Sequence, residues 1–255
     1  MIESKSNQQI RNILKLKKQA KERRKQQVFL VEGIRMFQEV PKDRLVKAYA
    51  TEEFYEKHKE LFDGLAYELV DEKIFKEISD TVTPQGVLAI VKQHPWKLED
   101  ILKLQKQPCL LILENLQDPG NLGTIIRTGE GAGITGVIMS KDTVDIYNPK
   151  VIRSTMGSIY RVPFVYVEDL EDVMHTMKEA GIKTYAAHLD GENVYQSDFR
   201  DGCAFMIGNE GNGLSDELSS MAGQYIRIPM CGQVESLNAA IAATVLMYET
   251  MRQRL

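Results

Sequence analysis

The chain has few of the residues that carry metal, disulfide or membrane chemistry. Its 255 residues include three cysteines and four histidines. Cys109, Cys203 and Cys231 lie far apart and form no CxxC pair, which argues against a zinc cluster and fits a reducing compartment. No apolar run is long enough to cross a bilayer. The opening MIESKSNQQIRN is polar and does not read as a secretory signal. A soluble, cytoplasmic protein without a metal is expected. A general excess of positive charge is also missing: the net charge is −4, so any nucleic-acid surface has to be local. What the chain does have is 43% hydrophobic residues, enough for a sizeable core in one or two domains.

The first thirty residues are the one strongly basic stretch, with nine Lys or Arg against Glu3 and Glu22, a local net charge of +7. Ile10, Ile13, Leu14 and Leu16 form an apolar seam, so the segment reads as an amphipathic helix with a basic face. That face is either simply solvated or a surface for a polyanion. Beyond it QQVFLVEG, LVKAYAT, AYELVD and GVLAIVK read as strands. The stretches IRMFQEV, EEFYEKHKELF and EKIFKEISD between them read as helices. Together they make a small α/β unit over residues 1–94. KQHPWKLEDILKLQKQP carries two prolines and a short apolar helix and reads as a linker, with the domain boundary at 95–108.

A second α/β unit is expected over 109–255. Its strands are CLLILENL, GVIMS, RVPFVYV, KTYAAHL, CAFMIGN and YIRIPM. They are short and rich in Val and Ile, as parallel strands covered on both faces are. Helices are expected at 121–130, 149–159, 170–180, 215–221 and 237–252, with Asn148-Pro149 supplying an N-cap and a first helical position. GAGITG, residues 131–136, has the G-x-G-x-x-G spacing of a dinucleotide site. It follows a helix and precedes a strand, the reverse of the order such a site needs. Its glycines read more simply as a helix C-cap and a tight turn.

Three loops hold more polar and glycine residues than turns require. In ENLQDPGNLGTIIRTGEGAG, Asp118-Pro119-Gly120-Asn121 is turn chemistry, with Asn121 expected to cap the next helix. Gly123, Arg127 and Gly131 fall on one helical face. Arg127 there is either a grip for phosphate or carboxylate or a structural partner of Glu114 or Glu130. In FMIGNEGNGLS an apolar strand ends in glycines with Asn209 and Glu210, at the kind of strand end where α/β folds bind ligands. In IRIPMCGQVESLNAAIAATVLMYE, Ser236 is expected to cap a helix so apolar all round that it must be buried. Ser236 and Asn238 then need partners, as caps or on a substrate.

These loops together resemble the three motifs of the SPOUT superfamily of methyltransferases, of the TrmH/SpoU type. NLQDPGNLGTIIRT is similar to the first, IGNEGNGL to the second and IPMCGQVESLNAAIAATVLMYE to the third, in order within residues 109–252. NPKVIRSTMGSIYRVP is similar to the family's linking segment. KERRKQQVFLVEGIRMFQEV through SDTVTPQGVLAIV is similar to the substrate-binding domain that precedes this core in several members, and which resembles a small ribosomal RNA-binding protein.

The resemblance implies an α/β fold: a C-terminal parallel-sheet SPOUT domain with a deep trefoil knot, preceded by a small α/β ribosomal-protein-like RNA-binding domain. It implies S-adenosyl-L-methionine as cofactor, a homodimer through the SPOUT domain, and methylation of a ribose 2′-hydroxyl in RNA. Ribosomal RNA is expected over transfer RNA because of the separate N-terminal domain. By the same resemblance Arg127, Asn121, Glu210, Ser236 and Asn238 form the catalytic set. His188, Gly208, Asn209, Gly211, Ile228, Met230, Ser236 and Leu237 form the cofactor set. RNA phosphates are expected on Lys18, Arg23, Arg24, Lys25 and Arg35 of the basic segment and its neighbour. The resemblance implies a general base at Arg127, whereas a guanidinium that stays protonated would steady a developing alkoxide or grip a phosphate instead. Three other readings stay open. They are an assembly factor that binds RNA without transferring methyl, a methyltransferase acting on a base, and a nucleotide-dependent oxidoreductase resting on GAGITG alone.

Overall fold

The computed structural model describes all 255 residues, which cluster into two compact units. From the amino end the elements run α1 (Gln8–Lys18), α2 (Ala20–Gln26), β1 (Val28–Glu32), α3 (Ile34–Gln38), β2 (Leu45–Ala50), α4 (Glu52–Lys57), β3 (Tyr67–Leu69), α5 (Glu72–Ile78) and β4 (Val87–Lys92). They continue with α6 (Leu98–Lys103), β5 (Cys109–Leu113), α7 (Pro119–Ala132), β6 (Gly136–Ser140), α8 (Pro149–Thr155), β7 (Phe164–Val167) and α9 (Leu170–Glu179). The last are β8 (Lys183–Asn193), β9 (Cys203–Ile207), α10 (Asp216–Ser220), β10 (Gln224–Arg227) and α11 (Ala239–Arg254).

The first unit comprises residues 1–94 and 145–160, around a mixed sheet in the order β1-β4-β2-β3. β4 is antiparallel to β1 and β2, while β2 and β3 run parallel. The apolar seam of the basic segment buries Ile10, Ile13 and Leu16 against Phe75 and Ile78 of α5 and against Leu30 and Ile90 of the sheet. The segment is not one helix. Gln19 is extended, with φ −122° and ψ 109° and no side-chain cap, so α1 stops there and α2 starts anew.

That break lets Arg23 turn inward, to 3% exposure. Its Nη1 donates to the Leu16 carbonyl at 2.6 Å, one of the orphan acceptors at the end of α1. Its Nε and Nη2 donate to Asp145 Oδ2 at 3.1 and 2.7 Å. Asp145 opens the segment 145–160, read above as part of the C-terminal domain and found packed in the first unit. There Tyr147 lies against Phe29 with ring centroids 4.8 Å apart, and Arg153 Nη1 donates to the Asp80 carbonyl at 3.0 Å. The helix expected at 149–159 stops at Thr155, because Met156 takes a left-handed conformation at φ 50°. The expected linker carries its short apolar helix as α6, which clusters with the second unit, where Ile101 is fully buried.

The second unit holds a wholly parallel sheet in the order β10-β8-β9-β5-β6-β7. β5 and β9 are buried at every position, which is why they read as unbroken apolar runs. On one face Leu110, Ile112 and Met206 pack with Ile101 of α6 and with Val173 and Met177 of α9. α7 and α11 lie side by side, joined by the Thr128 and Thr244 hydroxyls 3.0 Å apart. GAGITG is indeed a helix end. Gly133, at φ 72°, closes α7 with its N–H on the Glu130 carbonyl, and Ile134 N–H donates to Gly129.

Breaking a buried ion pair leaves an uncompensated charge. Arg23→Ala is therefore expected to destabilise the first unit by about 3–5 kcal/mol. Arg24→Ala, one residue on and exposed, should change stability by less than about 0.5 kcal/mol. Urea denaturation of the full chain followed by hydrogen exchange checks this; equal effects of the two would refute a structural role for Arg23.

Candidate active site

A parallel sheet sends all its strand ends to one edge, the edge where α/β proteins bind ligands. Leu113 of β5 and Ile207 of β9 are register partners, and Glu114 N–H donates to the Ile207 carbonyl at 2.9 Å. The two following loops therefore start side by side. Asn115 turns the first of them with a positive φ of 53°, a conformation that asparagine tolerates better than most residues. Its carbonyl accepts from Asn209 Nδ2 at 2.9 Å and from Gln117 Nε2 at 3.0 Å. Its N–H and Oδ1 both bond Ser140 Oγ at 2.9 Å.

Asp118, not Asn121, caps α7. Its Oδ1 accepts from Asn121 N–H at 2.8 Å, and Pro119 takes the first helical position. Asn121 sits inside the first turn, which frees its side-chain amide. That amide meets Glu210 from the loop after β9. Glu210 Oε1 accepts from Asp118 N–H at 2.9 Å and from Asn121 Nδ2 at 3.0 Å, and Oε2 accepts from Gln117 N–H at 3.0 Å. Asn121 Oδ1 in turn accepts from Asn238 Nδ2 at 2.9 Å. Asn238 Oδ1 caps α11 by accepting from Ala240 and Ile241 N–H groups at 2.9 and 3.3 Å. One relay, Glu210–Asn121–Asn238, thus ties three loops together. Partial burial pushes the Glu210 carboxyl up, but the hydrogen bonds from Gln117, Asn121 and Asp118 outweigh it and hold the group below the usual 4.5.

The loop after β9 is closed on itself. Asn209 and Gly213 exchange main-chain hydrogen bonds at 3.0 and 2.9 Å, and Asn209 Oδ1 accepts from Gly211 N–H at 2.8 Å. A methyl group at Gly208 would overlap the main chain of Gly213 and Leu214, so only glycine fits there. From Pro229 to Leu237 the main chain makes no hydrogen bond to other main chain, so its N–H and C=O groups stand free for a ligand. Ile228, Met230 and Leu237 are half-buried along that stretch. His188 lies midway along β8, just past the Lys183–Ala186 stretch that pairs with β9, with its ring 4.9 Å from Tyr225, and its Nδ1 accepts from Asp190 N–H at 3.2 Å.

Arg127 is exposed on α7 and makes no ion pair or side-chain hydrogen bond. The two partners considered for a structural Arg127 are engaged elsewhere. Glu114 accepts from Ser215 N–H and Oγ, both at 2.7 Å, and Glu130 pairs with Arg161. Ser236 is exposed, two residues before the cap it was expected to form, because Asn238 takes that place. α11 is not buried all round either: Ile241 and Tyr248 are 48% and 45% exposed. Of the expected phosphate contacts, Lys18, Arg24, Lys25 and Arg35 are exposed. Arg23 is corrected: it is buried on Asp145 and unavailable to a phosphate.

Known proteins resemble the chain over both units. Residues 108–248 match the model of the SpoU rRNA methylase family, and residues 7–89 match an MRM3-like substrate binding domain. The chain is 33% identical over 249 residues to the 23S rRNA (guanosine(2553)-2′-O)-methyltransferase RlmP of Bacillus subtilis (strain 168), covering 97% of each chain. It is similar to the AdoMet-bound rRNA methyltransferase of Sinorhizobium meliloti, with a TM-score of 0.88 at 31% identity over 100% of this chain and 98% of that one. It is equally similar in fold to the SpoU methyltransferase AviRb of Streptomyces viridochromogenes with AdoMet, at TM-score 0.88, 28% identity, and 97% and 98% coverage. A structure concerned with 2-OH methylation of C/U34 on tRNA matches only 58% of this chain but 97% of its own, at TM-score 0.54 and 26% identity.

Glu210→Gln places an amide NH2 against one of three donors. At pH 7 it is expected to cost about 1 kcal/mol, at the low end because the carboxylate is partly in solvent. A carboxyl with a depressed folded pKa contributes stability that is present above its unfolded pKa and lost as pH falls through the folded value. The gap in urea midpoint between wild type and variant should therefore be full at pH 7 and close as the pH falls through the depressed folded value, below the usual carboxylate range. A gap that stays unchanged however far the pH is lowered would mean that shape rather than charge is responsible.

Proposed function

The chain belongs to the SpoU rRNA methylase family, and we propose that it transfers a methyl group from S-adenosyl-L-methionine to a ribose 2′-hydroxyl of ribosomal RNA. The observation that carries this reading is the Glu210–Asn121–Asn238 relay, which gathers three loops at the carboxyl edge of a parallel sheet, at the start of the helix that also carries the unpaired Arg127. Ribosomal RNA is favoured over transfer RNA by coverage. The relatives described as acting on rRNA match both units, while the tRNA-related structure spans 58% of the chain. Ribosomal RNA as substrate favours a cytoplasmic protein. No helix is long and apolar enough to cross a membrane.

The residues present fit the cofactor. Gly208 admits main chain where any Cβ would collide, and the 229–237 main chain offers free donors and acceptors beside apolar Ile228, Met230 and Leu237. When bound, S-adenosyl-L-methionine supplies a methyl group already activated on a sulfonium. The protein's share is placement of the ribose oxygen and help with its proton, and placement alone can supply several kcal/mol. Glu210 accepts from three donors and acts as a brace rather than a base. A guanidinium offers donors and no acceptor, so the role of Arg127 is to steady the developing alkoxide or to hold the neighbouring phosphate. Ser236 and Asn238 present polar groups where α11 begins, and His188 borders the cofactor loops. A second copy of the chain covers the α11 face that leaves Ile241 and Tyr248 in solvent, and the C-terminal unit carries the trefoil knot of its family.

The test is transfer of labelled methyl to rRNA and tRNA purified from a strain lacking the gene. Label is expected in rRNA, in a nucleotide resistant to alkaline cleavage. Arg127→Ala should lower turnover by about 10²-fold or more while keeping cofactor binding. Gly208→Ala should lose cofactor binding itself. Label confined to tRNA, or Arg127→Ala at near-normal rate, would defeat the reading.

A further inference from the structure

The nine cations of the basic segment divide by what they touch. Lys5 pairs with Glu77, Lys17 with Asp80 and the Ser79 carbonyl, and Arg23 with Asp145. These three serve the fold. Arg11, Lys15, Lys18, Lys21, Arg24 and Lys25 are exposed and make no ion pair or side-chain hydrogen bond. In a chain of net charge −4, six unpaired cations on two adjacent helices form a local positive field.

The six are not equivalent. Arg11, Lys15 and Lys25 line a groove of about 890 Å³ between α1 and α2, and Lys18, Lys21 and Arg24 do not. That volume falls in the range of ligand-sized sites. Asn12 and Gln26 also line the groove and exchange two amide hydrogen bonds, at 3.1 and 2.8 Å, which hold the helices at a fixed spacing. Glu22 is the one carboxylate in the lining, and it accepts from Gln26 Nε2 at 3.2 Å. Arg11 and Lys15 stand four apart on α1, about 6 Å between their Cβ atoms, a spacing that suits successive phosphates of one strand.

We propose that this groove seats the sugar-phosphate backbone of the RNA substrate, with Arg11, Lys15 and Lys25 on phosphates and the Asn12–Gln26 amides fixing its width. Arg11 and Lys15 thereby join Lys25 as the principal contacts, ahead of Lys18 and Arg24. An acidic protein segment is disfavoured, since amides beside spaced cations match a polar sugar-phosphate chain better than apolar side chains. The proposal rests on the RNA methyltransferase reading above.

Two triple variants of the full chain, each removing three charges, test it: Arg11→Gln with Lys15→Gln and Lys25→Gln, against Lys18→Gln with Lys21→Gln and Arg24→Gln. The probe is rRNA purified from a strain lacking the gene, titrated across salt concentrations. The groove triple should weaken binding at least about tenfold and flatten the slope of log affinity against log salt by about 2. The second triple should lose less than half as much on both measures. Glu22→Gln should tighten binding, a gain that misfolding cannot imitate. Equal losses from both triples would overturn the groove in favour of a diffuse field and leave the methyltransferase reading intact. Absence of rRNA binding by the unsubstituted protein would overturn both.

Discussion

The carboxylate of Glu210 is the contact on which the site depends. The loops after β5, β9 and β10 leave the same sheet edge, but nothing in the sheet itself holds them against one another. Glu210 does so for the first two by accepting from two main-chain N–H groups and one side-chain amide. Asn121 then passes the connection to Asn238, which is also the cap of α11. The arrangement is self-consistent electrostatically. The N–H groups of Gln117 and Asp118 lie just ahead of the first turn of α7, where the helix dipole favours an anion. Gly208 is the steric counterpart, since the Glu210 loop folds back so closely that no side chain fits at its base.

This division of labour bears on the chemistry. A carboxylate with three donors has little capacity left to accept a proton from a ribose hydroxyl, and its depressed pKa points the same way. Arg127 is the opposite case. It is charged and exposed, and Glu114 and Glu130, the two acids weighed as its structural partners, are engaged elsewhere. A permanent cation without a counter-ion suits a site where negative charge arrives with the substrate or develops during the reaction.

How far the sequence foretold this differs from element to element. The parallel strands were readable because burial on both faces leaves a continuous apolar run, as in Cys109–Leu113 and Cys203–Ile207. The cap of α7 is legible in the sequence by the rule that Asn148-Pro149 obeys, a cap followed by proline at the first helical position. Applied to Asp118-Pro119, the same rule places Asn121 inside the helix with its amide free, against the expectation that Asn121 is the cap. Ser236 and Asn238 are both capping residue types ahead of the same apolar run, and no local signal shows that Asn238 rather than Ser236 is the cap. The packing of 145–160 into the first unit had no sequence signal at all, because it rests on pairs such as Phe29–Tyr147 and Arg23–Asp145 whose members lie more than a hundred positions apart.

Arg23 and Arg24 show the limit most plainly. They are neighbours of one residue type in one basic run, yet one is buried on Asp145 and the other stands in solvent. Helical periodicity alone predicts that α2 has an inner face, but not that its inner residue is a cation. What makes a buried arginine tolerable is the extended Gln19, which ends α1 early and leaves the Leu16 and Lys17 carbonyls for Arg23 to satisfy. The same break sets α2 against α1 and so creates the groove that Arg11, Lys15 and Lys25 line. The structural cation and the unpaired ones are therefore coupled. Arg23 holds the geometry in which its exposed neighbours can act together, and a count of charges along the chain cannot distinguish the two roles.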